Sequence, residues 1–415
     1  MTAARSAGLQ ACRERPGAAL KGCATGTHLV RHLSDHYARF RVAERLLLTG
    51  HSHQAWPDVS FAAQQRAWLD AAELVDEKWE RAAEQADRVR DGFRRLLNDP
   101  GGDIALGQNT HELVTRLLSA LPLSERPKLV TTDGEFHTIR RQLDRLAEAG
   151  LSIVKVAARP ADSLTERLAA VVDDRTACVL ASSVLFETAE IVPAFDVIAR
   201  ACDRVGATLL VDAYHHLNVV PFDIAALGLD RAFVTGGGYK YCQLGEGNAF
   251  LRVPPGCWLR PVLTGWFSEF DALEQRADRG GLEYGRGAAR FAGATYDPTS
   301  HYRGAAVFAF HVEQGLTMPA LREISRAQVG LLKARFESLD LDPAIARVEP
   351  VPEDRRGGFL ALRCARAGAL AGALRARGVL TDFRGSLLRL GPAPYLTDDQ
   401  LRQAIDAFAE VYKRA

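Results

Sequence analysis

Between Lys128 and His216 the chain repeats one pattern, a short apolar run followed by a helical stretch. "KLVTT" at 128–132, "LSIVKVAA" at 151–158, "TACVLASSVLF" at 176–186 and "ATLLVDAYHH" at 207–216 read as strands. "IRRQLDRLAEAG", "LTERLAAVV" and "AFDVIARACDRVG" lie between them and read as helices. Strands that are apolar on almost every residue are buried on both faces, and helical crossovers make neighbouring strands parallel. The pattern predicts an α/β fold, a mostly parallel sheet covered by helices on both faces.

The flanks complete the organisation. From Ser60 to Asn98 there is no proline and a single glycine. Apolar residues recur every three or four positions from Trp68 through Val75, Trp79, Val89 and Phe93 to Leu96, which predicts one long amphipathic helix stopped by "DPGGD". A second helix begins after "GQNT". Beyond Gly304 the pattern changes to a long helical stretch ending near Leu339. "GGFLALRC", the helix "AGALAGALRARG", the strands "VLTDF" and "SLLRLG", and a last helix follow. We expect a large domain over 59–304 and a linking helix with a small α+β C-terminal domain over 305–415. Residues 28–58 are expected to form an arm packed on the small domain or the active site, and 1–27 a flexible extension lacking the apolar core of a secretory signal.

Composition narrows the function classes. The 415 residues are 47% hydrophobic and 25% charged, with a formal net charge of +1. Nothing in that balance calls for a nucleic-acid or membrane-surface partner. No apolar run approaches the ~18 residues of a membrane-spanning helix. The seven cysteines show no C-x-x-C spacing, which predicts a reduced, cytoplasmic setting and no metal site.

Open α/β sheets gather ligands at the carboxyl ends of their strands, and four features fall there. Asn109 or Thr110 in "GQNTHELV" caps a helix, whose free N–H groups suit a phosphate. Asp212 in "LLVDAYHH" ends a strand, where a buried carboxylate needs a cationic or hydrogen-bonding partner. Lys240 follows "AFVTGGG" in a loop suited to Schiff-base chemistry once desolvation lowers its pKa. Arg389 in "SLLRLGPAPYL" offers a bidentate fork for a carboxylate. The three glycines before Lys240 lack the spacing of a dinucleotide fingerprint. Phosphate cap, acid, lysine and arginine, in that order, suit pyridoxal 5'-phosphate (PLP) and an amino-acid substrate.

With these residues in view, the chain resembles the kynureninases, within the class V (aminotransferase class V) group of fold-type I PLP enzymes. The resemblance runs from about Leu46 to near the C-terminus. It is carried by "LLLTGHSHQAWP", "GQNTHELV", "GEFHT", "VDAYHH", "GGGYKY", "LTGWF", "ARFAGATYDP" and "DFRGSLLRLGPAPYL". It implies the fold-type I transferase fold, with a mostly parallel, seven-stranded-type sheet in the large domain, and a homodimer with sites at the interface. Lys240 then looks like the Schiff-base lysine, Tyr239 like the tyrosine that meets the phosphate and donates a proton, and Asp212 like the partner of the pyridine nitrogen. His215 fills the D-x-x-H position, Phe136 resembles the residue stacked on the ring, and Asn109 and Thr110 match the phosphate cap. Trp266 and Thr295 match groups that reach the phosphate from the partner subunit. Arg389 matches the arginine that binds the substrate carboxylate.

The sequence also departs from the kynureninases. Their carboxylate three residues after the stacking phenylalanine is Ile139 here, and their G-N-S-L-G pocket motif is Gly50-His51-Ser52-His53-Gln54. We expect His51, Ser52 and His53 to contact substrate. "CQLGEG" replaces the L-N-G-G-P-G that follows Y-K-Y. Cofactor positions persist while substrate-pocket positions change. The expected activity is kynureninase-like C–C hydrolysis or a related lyase step at Cβ. The alternatives are an aminotransferase, a C–S β-lyase, a decarboxylating enzyme, or a PLP-binding protein without turnover.

Overall fold

The computed structural model describes residues 33–275 and 281–413, so the expected extension over 1–27 lies outside the described residues. Seven strands form the main sheet: β2 (Asp103–Gly107), β3 (Lys128–Thr132), β4 (Ser152–Val156), β5 (Thr176–Ser182), β6 (Thr208–Asp212), β7 (Phe233–Gly237) and β8 (Ala249–Val253). Their order is β2-β8-β7-β6-β5-β3-β4. Only β8 runs against its neighbours. Every residue of β5, β7 and β8 is buried, as strands covered on both faces require.

The helices that cover the sheet include α2 (Lys78–Leu96), α3 (Thr110–Ser119), α4 (His137–Glu148), α5 (Leu164–Ala170) and α6 (Phe195–Val205). The long helix expected over 60–98 is two helices. α1 (Val59–Leu74) ends where Val75 takes φ 49° and ψ −93°, and α2 starts at Lys78. The expected apolar stripe therefore holds only in α2, where Ala82, Ala86, Val89 and Phe93 are buried, while Trp68 stands 72% exposed in α1. The stretch expected to run from Gly304 to Leu339 is also two helices, α7 (Thr299–Glu313) and α8 (Met318–Glu337). Gly315, at φ 64°, turns the chain, and Thr317 caps α8 by accepting from Ala320 N–H.

A second, four-stranded sheet joins β12 (Asp382–Arg384), β13 (Leu387–Leu390), β10 (Leu360–Cys364) and β9 (Ala346–Val348), all antiparallel. It packs with α9 (Ala367–Ala376) and α10 (Asp398–Tyr412) around Leu362, Leu374, Leu388 and Phe408. The N-terminal arm belongs to this body. Its β1 (Leu46–Leu47) pairs in parallel with β11 (Val379–Leu380), and Leu33, Tyr37 and Leu48 enter the same core. α7 links the two cores: Ala305, Val307 and Phe308 pack in the larger one and Phe310 in the smaller.

Candidate active site

Three strands of the main sheet, β2, β6 and β7, each deliver a polar group to the sheet's carboxyl edge, and the segment after β3 adds an aromatic ring. β2 ends at Gly107, and Asn109, extended at φ −156°, caps α3 by accepting from Glu112 N–H at 3.0 Å. The first N–H groups of α3 then lack acceptors within the helix and sit at its positive end. Phe136 immediately precedes α4, its ring edge-on to Phe186 at 5.4 Å. β6 ends on Asp212, and β7 runs into Lys240. Asn109, Thr110, Phe136, Asp212, Tyr239 and Lys240, with His215, line one pocket of about 230 Å³.

Lys240 is 4% exposed, the one buried lysine among the described residues. Its Nζ lies 2.8 Å from His215 Nε2, 4.9 Å from the Phe136 ring centre and 4.5 Å from that of Tyr214. Burial pulls the amine down to about 7, against the attraction of Asp212 and with help from Arg389 and Arg384. Burial, then the charge of Lys240, pushes His215 well below its ordinary value, so the imidazole is neutral. With the proton on Nδ1, which has no partner, its Nε2 accepts from Lys240. Burial raises Asp212, partly offset by the Tyr214 N–H donating to Oδ1 at 2.8 Å and by Lys240.

A second carboxyl lies beside Asp212. Glu135 is 2% exposed and accepts from Thr132 Oγ1 at 2.7 Å, Ser182 N–H at 3.1 Å and Ser182 Oγ at 2.6 Å. Ser182 is the register partner of Asp212 across β5 and β6. Burial raises Glu135 to about 7, opposed by the bonds from Ser182 and Thr132 and reinforced by Asp212. Tyr214 is a further group that sequence reasoning passed over, although it stands between Asp212 and His215. Gly237 makes room for it, since a Cβ there would fall 2.5 Å from the Tyr214 hydroxyl.

Arg389 and His51 meet away from this pocket's lining. Arg389 is 2% exposed. Its Nε and Nη2 donate to the two oxygens of Asp382 at 2.8 and 2.5 Å, and its Nη1 donates to the Phe186 carbonyl at 2.5 Å. His51, fully buried, places Nε2 2.8 Å from the same carboxylate, and burial brings its imidazole down to about 4 despite Asp382. Burial works against the Asp382 charge, but the bonds from His51 and Arg389 outweigh it and hold the carboxyl well below its usual range. The sequence signal for the Asp382–Arg389 pair is a hairpin: Gly385-Ser386 forms a two-residue turn and sets Asp382 opposite Arg389.

The remaining expected residues are dispersed. His53 is exposed and stacks on Tyr239 at 4.9 Å, and Ser52 N–H donates to the Thr49 carbonyl in the turn before it. Trp266 and Thr295 touch each other at 3.3 Å but line a different groove, of about 1070 Å³, between α2 and the 286–296 segment. Ile139 is 1% exposed in the core beside α3. Cys242, next but one to Lys240, is buried and its thiol is pushed well up by desolvation, the opposite of an activated nucleophile.

The pocket's donor set fits PLP. A buried amine near neutrality suits a Schiff base, a buried carboxyl suits a protonated pyridine nitrogen, and a helix N-terminus suits a phosphate. Two family models match the chain: "Aminotransferase class-V" over residues 71–242 and "Kynureninase C-terminal domain" over 321–408. An uncharacterized aminotransferase, YcbU of Bacillus subtilis, is 24% identical over 389 residues, 92% of this chain and 98% of that protein. A kynureninase of Bacillus thuringiensis is 29% identical over 273 residues; the match spans 63% of this chain and 61% of the kynureninase. Among solved structures, a C-DES mutant with glycine covalently linked to its PLP cofactor superposes with a TM-score of 0.76 at 16% identity, over 91% of this chain and 98% of that one. The geometry at the carboxyl edge and the two family models support a kynureninase-like class V PLP enzyme, and the superposition shows the fold-type I fold.

Proposed function

We propose that the chain acts on an α-amino acid through Lys240 as the Schiff-base lysine, and that its reaction is kynureninase-like, a hydrolytic C–C cleavage or related lyase step at Cβ. The observation that carries this reading is a buried lysine, lowered to about 7, 2.8 Å from a neutral histidine in the pocket that holds Asp212. When bound, PLP supplies an electron sink for negative charge developing at the substrate Cα.

The chain's own groups do the rest. Asp212 keeps a ring nitrogen protonated, and Phe136 offers an aromatic face. Asn109, Thr110 and the N-terminus of α3 hold a phosphate. The Lys240 amine, substantially neutral near pH 7, takes the Cα proton, and His215 orients it. Burial, then Asp212, raises the Tyr239 hydroxyl, so it stays protonated and serves as a proton donor. Arg389 marks the carboxylate-binding corner, with His51, Ser52 and His53 on the arm that flanks it. Trp266 and Thr295 act on the partner's phosphate in a homodimer, which accounts for their lying outside this chain's own pocket. A cytoplasmic setting fits the free thiols.

Transamination is the second reading, favoured by Ile139 in place of a pocket carboxylate. The test is a spectral screen of the purified holoenzyme against amino acids, including kynurenine and S-conjugates, with product analysis. Alanine and an aryl acid from kynurenine support the first reading. A keto acid with the cofactor left in its amine form supports the second. No spectral response to any amino acid contradicts both.

A further inference from the structure

A groove of about 610 Å³ lies along one face of α8, between that helix and the 353–357 segment that precedes β10. Arg322, Arg326 and Lys333 line it at steps of four and seven residues, the spacing of one helical face. Arg356 lines it from the facing segment, and the carboxylates Glu323 and Glu353 share the lining. Four cations against two carboxylates leave a net charge of +2. Lys333 and Glu353 answer each other at 2.9 Å. Among the described residues no carboxylate lies within ion-pair distance of Arg322, Arg326 or Arg356. None of these residues lines the Lys240 pocket.

Two of the uncompensated charges are largely withdrawn from water. Arg356 is 7% exposed, and its Nη2 donates to the Val351 carbonyl at 2.7 Å. Arg322 is partly buried. Its Nη2 donates to the Arg356 carbonyl at 2.8 Å, and its Nη1 is buried with no partner. Burial lowers both guanidiniums from their ordinary value, helped at Arg322 by Arg326 and opposed at Arg356 by Glu353. A buried charge held by carbonyls alone is costly without a counter-ion. Arg326, on the same face, is exposed and reaches a ligand without rearrangement.

We propose that this groove is a binding site for a small dianion with oxygen acceptors, the class of phosphate monoesters and dicarboxylates. Two negative charges match the net charge of the lining. Guanidinium forks from α8 and from the 353–357 segment suit such oxygens, which accept in pairs. Glu323, which no cation among the described residues answers within ion-pair distance, opposes the ligand. The site is separate from the Lys240 pocket, so the inference stands apart from the reading of that pocket.

Calorimetric titration of the holoenzyme in mildly alkaline buffer at constant ionic strength tests the site. Inorganic phosphate and malonate serve as the dianions and acetate as the monovalent control. At least one dianion should saturate a site, bound about tenfold or more tighter than acetate. The tighter of the two tells a phosphate site from a dicarboxylate site. Arg326→Gln should weaken that binding about 10- to 100-fold, the worth of a charge-assisted hydrogen bond. Glu323→Gln should tighten it about three- to fivefold, a gain that no loss of folding produces. Arg389→Gln should leave it unaltered, which separates the groove from the Asp382 corner. No saturation by either dianion, acetate bound as tightly, or binding that Arg326→Gln or Glu323→Gln leaves unaltered overturns the proposal.

Discussion

Glu135→Gln tests the electrostatics beneath the cofactor pocket. Glu135 is enclosed by Thr132 and Ser182, beside Asp212 and, among the described residues, without a cationic partner within ion-pair distance. Folding raises its pKa from 4.5 to about 7. Between those values the folded chain holds a proton that the unfolded chain has released. Stability therefore falls as pH rises through that window and stays lower above it. At 1.36 kcal/mol per pH unit the loss is about 3 kcal/mol. Glutamine removes the titration and keeps the bonds, since its carbonyl accepts from Thr132 and Ser182 N–H while its amide donates to Ser182 Oγ. Denaturant unfolding of the cofactor-free proteins should show the two equal near pH 4.5. By about pH 8 the glutamine variant should lead by about 3 kcal/mol. A difference independent of pH, or a variant weaker than wild type at pH 8, would refute the reasoning.

Two further outcomes follow from the same pocket. With Lys240 lowered to about 7, PLP capture by the cofactor-free protein should quicken about tenfold per pH unit below that point and level off above it, because the neutral amine attacks; a stopped-flow rate that is flat from pH 6 to 9 contradicts the lowered lysine. Gly237→Ala should drive a methyl group to 2.5 Å from the Tyr214 hydroxyl, costing about 1–3 kcal/mol and weakening PLP binding; adding Tyr214→Ala should relieve the cost, and an unaltered thermal midpoint in the single variant would show that the ring is free to move.

The sequence conveyed the sheet well because its strands are continuous apolar runs, whose pattern is local. β3 occupies the 128–132 run, and β6 ends on Asp212 as expected. Helix breaks were less legible. Nothing in "ELVDEKW" announces that Val75 takes a positive φ, whereas "EQGLTMP" does carry a glycine and a capping threonine at the α7–α8 break. Lys240, Asp212, Phe136 and Asn109 were visible because strand ends are visible. Glu135 was not, since a glutamate beside a phenylalanine in a loop looks solvated until the fold closes over it. The Asp382–Arg389 pairing depends on a hairpin register that the spacing alone left open. It sets the Arg389 fork on the Asp382 carboxylate.

The central claim is that Lys240 carries the cofactor. Borohydride reduction of the purified holoenzyme, followed by peptide mass mapping, tests it most directly. The account predicts a pyridoxyl-phosphate mass on the peptide containing Lys240, bleaching of the visible absorbance, and neither in Lys240→Ala. Label on a different lysine, or label that persists in Lys240→Ala, would contradict it.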